Sequence, residues 1–239
     1  MKFWICGNSH TGALKKGLEI LAPDDLDLTV FPLGNGHWET TPFSNVKDNM
    51  VFLSNAKYAE NMLKWTGARR ITRKAVWGFC MGTHNARIYR QDFWIKAEPS
   101  HIAEDHKRPI SQGLLDSVIL ADQFHIREFL GAVKALGIRS YVISCPPPRD
   151  DHPCIGQGVR RETVAAIDQR ARSLIREWLN TQGIDFIDYP KETRTPDGFL
   201  KEKFQHLWGA NGTKDHHHAN AEYGALMMKQ VLEHIRQRS

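Results

Sequence analysis

The chain has 239 residues, of which 41% are hydrophobic and 25% are charged, a composition typical of a globular protein with a buried core. We therefore expect residues 1–239 to form a single domain. No apolar run approaches the roughly 20 residues of a membrane span, and the first residues pass straight into a strand and a charged helix, so we expect neither a signal peptide nor an anchor. The net charge of +5 comes from basic residues spread along the chain, which predicts no nucleic-acid partner.

Hydrophobic periodicity predicts strands and helices that alternate along the chain. The predicted strands are short apolar runs at residues 2–6, 28–33, 74–80, 140–144 and 185–189. The predicted helices cover residues 11–21, 56–65, 111–120, 124–136, 162–182 and 220–236. Strands that alternate with helices indicate an α/β fold with a parallel sheet.

Ser9 follows the first predicted strand directly, in the tetrapeptide Gly7-Asn8-Ser9-His10. It falls in the turn that leads into the first helix, at the carboxyl edge of the sheet. The first backbone amides of a helix are unpaired and its dipole favours negative charge, which suits an anionic intermediate beside a nucleophilic serine. The alternative is that Ser9 only caps the helix, since serine is a preferred N-cap residue.

A second polar cluster, Asp215-His216-His217-His218, stands just before the last predicted helix. Asp215 and His218 are three residues apart, so that one tight turn would supply a base and the carboxylate that orients it. A solvated loop and a metal-binding patch are the alternatives. The chain has no His-Glu-x-x-His helix and no Cys-x-x-Cys pair that would complete a zinc site. We therefore expect no metal and no cofactor.

These two clusters resemble the motifs of the SGNH (GDSL-like) hydrolases, in which the serine comes first and Asp-x-x-His comes last. The resemblance implies a flavodoxin-like three-layer α/β/α sandwich on a five-stranded parallel sheet. It also implies serine-dependent ester hydrolysis, with Ser9, Asp215 and His218 as the catalytic residues. The oxyanion hole of that family draws on the serine amide, a glycine after the second strand and an asparagine after the third.

The middle blocks of this chain depart from the family pattern. The usual acidic residue before the serine is Asn8, which keeps hydrogen-bonding capacity but loses the charge. Gly34 is the nearer match for the glycine donor. The third block reads Gly82-Thr83-His84-Asn85, so that its asparagine is displaced by one position. We therefore predict an oxyanion hole of Ser9, Gly34 and Asn85, with Asn35 in reserve and His84 as another residue that could face Ser9.

Loops at the carboxyl ends of the strands are expected to surround Ser9 and to decide the substrate. Flat apolar rings and guanidinium groups are frequent there, a mix that suits a sugar ring or an acyl chain beside an acidic group. We predict four substrate-binding residues in these loops and in the third block: Trp38, His84, Arg87 and Arg149. Unevenly spaced aromatic residues, such as those from Tyr89 to Trp94, are equally consistent with a packed loop.

The sequence as a whole predicts a serine esterase that removes an acyl group from a small-molecule, lipid or carbohydrate ester through an acyl-enzyme. An acyltransferase that uses a sugar hydroxyl, or a catalytically silent binding domain, are the alternatives. The expected partner is a small acyl ester or an acylated glycan, with no stable membrane insertion. Cys6, Cys80 and Cys145 lie in or beside strand-like runs and resemble small buried hydrophobic residues, which favours the cytoplasm.

Overall fold

The computed structural model of the protein describes residues 1–208 and 213–238, without the side chains of Trp208 and Lys214. The strands are, in chain order, β1 (Lys2–Gly7), β2 (Asp27–Pro32), β3 (Ser44–Lys47), β4 (Met50–Leu53), β5 (Arg70–Ile71), β6 (Ala75–Cys80), β7 (Ala97–Pro99), β8 (Arg108–Ile110), β9 (Ser140–Ile143), β10 (Asp185–Ile187), β11 (Gln205–Trp208) and β12 (Thr213–Ala219). The main sheet has five strands in the order β10-β9-β6-β1-β2, and all its neighbours are parallel. The predicted five-stranded parallel sheet is confirmed.

The helices are α1 (Thr11–Leu21), α2 (Ala56–Thr66), α3 (Ala86–Tyr89), α4 (Gln112–Ala135), α5 (Pro153–Gly156), α6 (Arg161–Gln182) and α7 (Ala221–Arg238). Four of them lie within two residues of a predicted helix: α1, α2, α6 and α7. Short 3-10 helices occupy Gly36–Thr40, Asp92–Ile95, Lys191–Thr193 and Glu202–Phe204.

Helix α4 corrects the prediction of two helices at residues 111–120 and 124–136. It runs unbroken because no glycine or proline interrupts its middle. Gln123 breaks the apolar pattern in the sequence, yet its side chain is fully buried. The side-chain amide donates to the carbonyl of Ala171, 3.0 Å away on α6, which satisfies the polar group inside the core.

Helices cover both faces of the main sheet. Phe3 and Ile5 of β1 point to one face, where they pack with residues of α1 and α7 such as Leu14 and Met227. The other face carries Phe79 and packs against α2, α4 and α6. The predicted three-layer α/β/α arrangement follows from this alternation, since successive strand residues point to opposite faces.

Helices α1 and α7 touch backbone to backbone. A Cβ atom at Gly17 would overlap the backbone of Gly224, and one at Gly224 would overlap the carbonyl of Ala13. Only glycine permits this close approach. Because α1 follows Ser9 and α7 follows His218, the contact joins the two segments that carry these residues.

Small sheets outside the main one were not predicted. They are β3-β4-β5, β7-β8 and the antiparallel pair β11-β12. Residues 215–218 fall within β12, between its paired residues Lys214 and Ala219, where the register with β11 shifts. In the described part of the chain no helix is long and apolar enough to cross a membrane. All four cysteines are free and buried, which agrees with their expected behaviour as small hydrophobic residues.

Candidate active site

Ser9, His218 and Asp215 are linked by hydrogen bonds across 209 residues of sequence. The Oγ atom of Ser9 lies 2.8 Å from Nε2 of His218, and Nδ1 of the same ring lies 2.8 Å from Oδ2 of Asp215. Ser9 is exposed in the turn between β1 and α1, whereas Asp215 is buried. The structure therefore brings together the three residues predicted to act together. Their arrangement is that of a nucleophile, a base and a carboxylate that fixes the tautomer of the base.

Asp215 is held as a carboxylate by backbone amides. Its Oδ1 atom accepts hydrogen bonds from the amides of His217 and His218, at 2.9 and 3.1 Å. Burial opposes ionisation, but the His217 amide and the neighbouring His218 ring hold the pKa of Asp215 below its ordinary value. Its charge can therefore stabilise an imidazolium at His218.

Arg149 fastens the segment that carries Asp215. Its buried guanidinium donates to the backbone carbonyls of Asp215 and His206 and pairs with Asp151 through two hydrogen bonds of 2.8 Å. The predicted substrate-binding position thus becomes an interior anchor between the loop after β9 and the β11-β12 pair. Asp151, two residues further on in the sequence, binds the guanidinium of Arg149 and was the sequence feature that could have indicated this role.

Arg87 is a second predicted substrate-binding residue that the structure places in the interior. It donates to the carbonyl of Gly36 at 2.8 Å and forms a two-pronged pair with Asp122, at 3.0 and 2.9 Å. These contacts tie the loop after β2 to α3 and α4. Arg87 therefore supports the loop after β2 from the protein interior, and its side chain is not exposed to solvent.

Trp38 and His84, the other predicted substrate-binding residues, are partly exposed. Trp38 packs edge-on against Tyr58, with ring centroids 5.5 Å apart. His84 lies beside His10, with 2.7 Å between its Nδ1 and the Nε2 of His10. A narrow cleft lined by His10, His84 and His217 adjoins the site.

His10 is a site residue that sequence reasoning missed. Its ring is buried, and its centroid lies 4.9 Å from that of His218 and 4.6 Å from that of His84. Burial lowers the pKa of His10 well below its ordinary value, and the adjacent rings of His84 and His218 lower it further. The ring of His10 is therefore neutral near pH 7. The sequence feature that could have revealed His10 is its position directly after Ser9, which places its ring inside the turn.

The predicted oxyanion donors lie in different surroundings. Leu33, the residue before Gly34, donates its amide to the carbonyl of Gly7 at 2.7 Å, which places Gly34 at the sheet edge that carries Ser9. Asn85 is buried, and its side-chain amide donates to Oδ1 of Asp168 at 2.8 Å. One hydrogen of that amide is thus committed to α6, and a role for Asn85 in the oxyanion hole stays a prediction.

Among residues 1–208 and 213–238, no group of three or more His, Cys, Asp or Glu side chains has an arrangement that could hold a metal ion. The clustered histidines instead contact one another through their rings. His152 and His217, for example, have centroids 4.9 Å apart at an angle of 69°. Burial lowers the pKa of His152 to about 4, so this ring is neutral near pH 7.

No protein-family model and no curated protein matches this chain. Solved structures match it in fold. A GDSL-like lipase from Bacteroides thetaiotaomicron is 12% identical, with a TM-score of 0.54 over 100% of this chain and 89% of that one. A protein assigned as an acylhydrolase from Bacteroides fragilis is also 12% identical, with a TM-score of 0.53 over 99% of this chain and 87% of that one. The fold expected from the SGNH resemblance is thereby confirmed.

Proposed function

We propose that this chain is a serine esterase of the SGNH type. The observation that carries the proposal is the unbroken line of hydrogen bonds from Ser9 through His218 to Asp215. Its support is geometric, because a hydroxyl, an imidazole and a carboxylate at these distances form the arrangement that activates a serine. The lipase and acylhydrolase names among the proteins of the same fold agree with this chemistry.

The reaction begins when Ser9 Oγ attacks the ester carbonyl and Nε2 of neutral His218 takes its proton. Asp215 holds the tautomer and stabilises the imidazolium. The oxyanion of the tetrahedral intermediate is bound by the amides of Ser9 and Gly34 and by the side chain of Asn85. The imidazolium returns its proton to the departing alcohol, which leaves an acyl-enzyme. Water, deprotonated by His218, then attacks the acyl group. The bond to Ser9 Oγ breaks, the imidazolium returns its proton to Oγ, and the acid is released.

The substrate class is an acyl ester of a small molecule, a lipid or a carbohydrate. The cleft at His10 and His84 is polar and has a volume of about 10 Å³, which is too small to hold an acyl group. Ser9 itself is exposed, so an ester attached to a bulky alcohol or glycan can approach it from solvent. With a sugar hydroxyl in place of water, the same steps transfer the acyl group.

The test is labelling with a fluorophosphonate probe followed by peptide mapping. We expect the wild-type protein to carry the label on Ser9 and to hydrolyse short-chain aryl esters. Ser9→Ala abolishes both while the protein stays folded, because the exposed Ser9 hydroxyl contributes only about 1 kcal/mol to stability through its hydrogen bond to His218. Ser54→Ala removes another exposed hydroxyl and serves as the matched control. A folded Ser9→Ala protein with wild-type turnover would rule out this function.

A further inference from the structure

Glu39 is a fully buried carboxyl group next to the turn that carries Ser9. It lies on the 3-10 helix Gly36–Thr40, after β2, and its side chain has 0% exposure. Its Oε1 atom accepts a hydrogen bond of 3.0 Å from the side-chain amide of Asn8, which directly precedes Ser9. The mechanism proposed above does not use this group. A buried acid is retained at a cost in stability, so its contacts indicate what it does.

The side chain of Asn8 spans the turn from one side to the other. Its Nδ2 donates to Glu39, and its Oδ1 accepts from the backbone amide of His10 at 3.1 Å. The backbone carbonyl of Asn8 also accepts from the amide and the hydroxyl of Thr11, at 3.1 and 2.7 Å. Ser9 thus lies between Asn8 and His10, and the hydrogen bond from the His10 amide to the Asn8 side chain fixes these two residues relative to each other. The direction of the Asn8 side-chain amide is in turn set by its acceptors, of which Glu39 at 3.0 Å is an oxygen and Cys145 at 3.6 Å is a weaker sulfur.

Glu39 is itself held in place by Arg87, on the side away from Asn8. Its Oε2 atom lies 3.6 Å from Nη1 of Arg87, and the same nitrogen donates to the carbonyl of Gly36. Asp122 of α4 fixes Arg87 through two further hydrogen bonds. The contacts form a continuous path from α4 to the turn at Ser9. They also hold the loop that carries Gly34, the predicted amide donor of the oxyanion hole.

We infer that Glu39 is a positioning residue for the reaction proposed above, because it orients Asn8 and so fixes Ser9 relative to His218 and to the loop after β2. The inference rests on the proposed function. It explains why the position before the serine is Asn8 and not an acidic residue: the neighbouring Glu39 already supplies the carboxyl group, and an asparagine can donate to it.

The protonation state of Glu39 is consistent with its role as a buried hydrogen-bond acceptor. Burial raises its pKa to about 8, although Arg87 opposes the rise. Near pH 7 the group is therefore largely protonated, and a glutamine at this position preserves both its shape and its acceptor oxygen. Leucine preserves most of the volume and removes the acceptor. This pair of substitutions separates hydrogen bonding from packing.

The experiment measures kcat and KM for a short-chain aryl ester, with active sites counted by fluorophosphonate titration. We expect Glu39→Leu to lower kcat per labelled site by about tenfold or more at little change in KM, because a small displacement of the nucleophile slows the chemical step. Glu39→Gln should stay within about threefold of the wild type, since it keeps the acceptor. Glu60→Leu, at an exposed glutamate, is the matched control.

Counting active sites separates positioning from folding. A purely structural role would reduce the number of labelled sites and leave kcat per site unchanged, and that result would overturn the inference. If Glu39→Leu does not fold, the double variant Asn8→Asp/Glu39→Gln decides, because it reverses donor and acceptor in the same contact. It should fold and react within about fivefold of the wild type. An unfolded or inert double variant overturns the inference, whereas a wild-type protein without label at Ser9 overturns the proposed function first.

Discussion

Asp215 and His218 face each other across 2.8 Å, although three residues of a regular strand would place their side chains on opposite faces. The backbone amides of His217 and His218 both donate to Oδ1 of Asp215, which turns the chain towards the carboxylate. The pairing of β11 with β12 also shifts its register between Gln205 and Leu207. The same carboxylate therefore bends the strand and orients the imidazole.

Asp215→Asn is expected to preserve the fold and to lower kcat for an aryl ester by a factor on the order of a thousand or more. An asparagine amide turned towards Nδ1 of His218 favours the wrong tautomer and carries no charge to stabilise the imidazolium. Steady-state kinetics and a thermal melt check the two halves of this expectation. Asp24→Asn, at an exposed position, is the control. A loss of less than about tenfold would mean that Asp215 does not orient the base.

His218→Ala and His216→Ala should differ sharply. The ring of His218 reaches Ser9 Oγ, so its removal should lower kcat by a factor on the order of a thousand or more. The side chain of His216 is 37% exposed and lies 3.8 Å from Asp151, so its removal should change kcat by less than about threefold. The same esterase assay decides, before and after treatment with a chelator. Equal losses at both positions, or recovery on adding zinc, would point to a metal site.

Asn85→Ala should lower the free energy of unfolding by about 2 kcal/mol, because it removes a buried hydrogen bond to the carboxylate of Asp168. Arg172, 2.7 Å from the other oxygen, still pairs with Asp168 and limits the loss. Urea unfolding measures this change. The kcat of the same protein tests the oxyanion role. A fall of about a hundredfold at unchanged KM would support Asn85 as an oxyanion donor, and near-normal turnover would exclude that role.

The buried ring of His10 should make the protein sensitive to mild acid. Its pKa is lowered in the folded state, first by burial and then by His84, so the stability it contributes is present above its unfolded pKa of about 6.5 and is lost as the pH falls below that value. We expect His10→Phe to reduce the slope of unfolding free energy against pH by about 1.4 kcal/mol per unit between pH 5 and 6. His106→Phe, at an exposed histidine, should leave the slope unchanged.

The difference between variant and wild type is the quantity to measure, because other groups titrate in the same range. Glu39 has a raised pKa, so its contribution runs the opposite way: it is present below the unfolded pKa and lost as the pH rises through about 8. Urea unfolding at several pH values yields each slope. Equal slopes for His10→Phe and the wild type would show that His10 accepts a proton in the folded state.

The main sheet and most of the helices around it could be predicted because their apolar residues repeat with a clear period. Helix α4 was divided in the prediction at the polar residues Asp122 and Gln123. The burial of Gln123 depends on partners that include the carbonyl of Ala171 on a distant helix and the guanidinium of Arg127. Strand β12 was missed because Asp215 and three histidines have neither an apolar pattern nor strong strand propensity. The ends of β12 pair with β11 at Thr213, Lys214 and Ala219, and such pairing cannot be read from local sequence.

The ends of the candidate site were easier to predict than its interior. Ser9, Asp215 and His218 stand in short motifs with fixed spacing, whereas Arg87 and Arg149 were assigned by residue type alone. Both arginines have buried acidic or carbonyl partners far away in the chain, which no spacing rule reveals. Glu39 was overlooked because a single glutamate beside a tryptophan resembles ordinary surface until its burial is known.

The glycine contact between α1 and α7 bears on when the site comes into existence. Ser9 and His218 are separated by nearly the whole chain, and pairings of such long range form late in folding because a large loop must close first. Until α7 docks on Gly17, the serine hydroxyl has no base beside it. Under the proposed function, Ser9 is therefore activated only in molecules whose last helix has docked, and a nascent or partly folded chain would be chemically silent there.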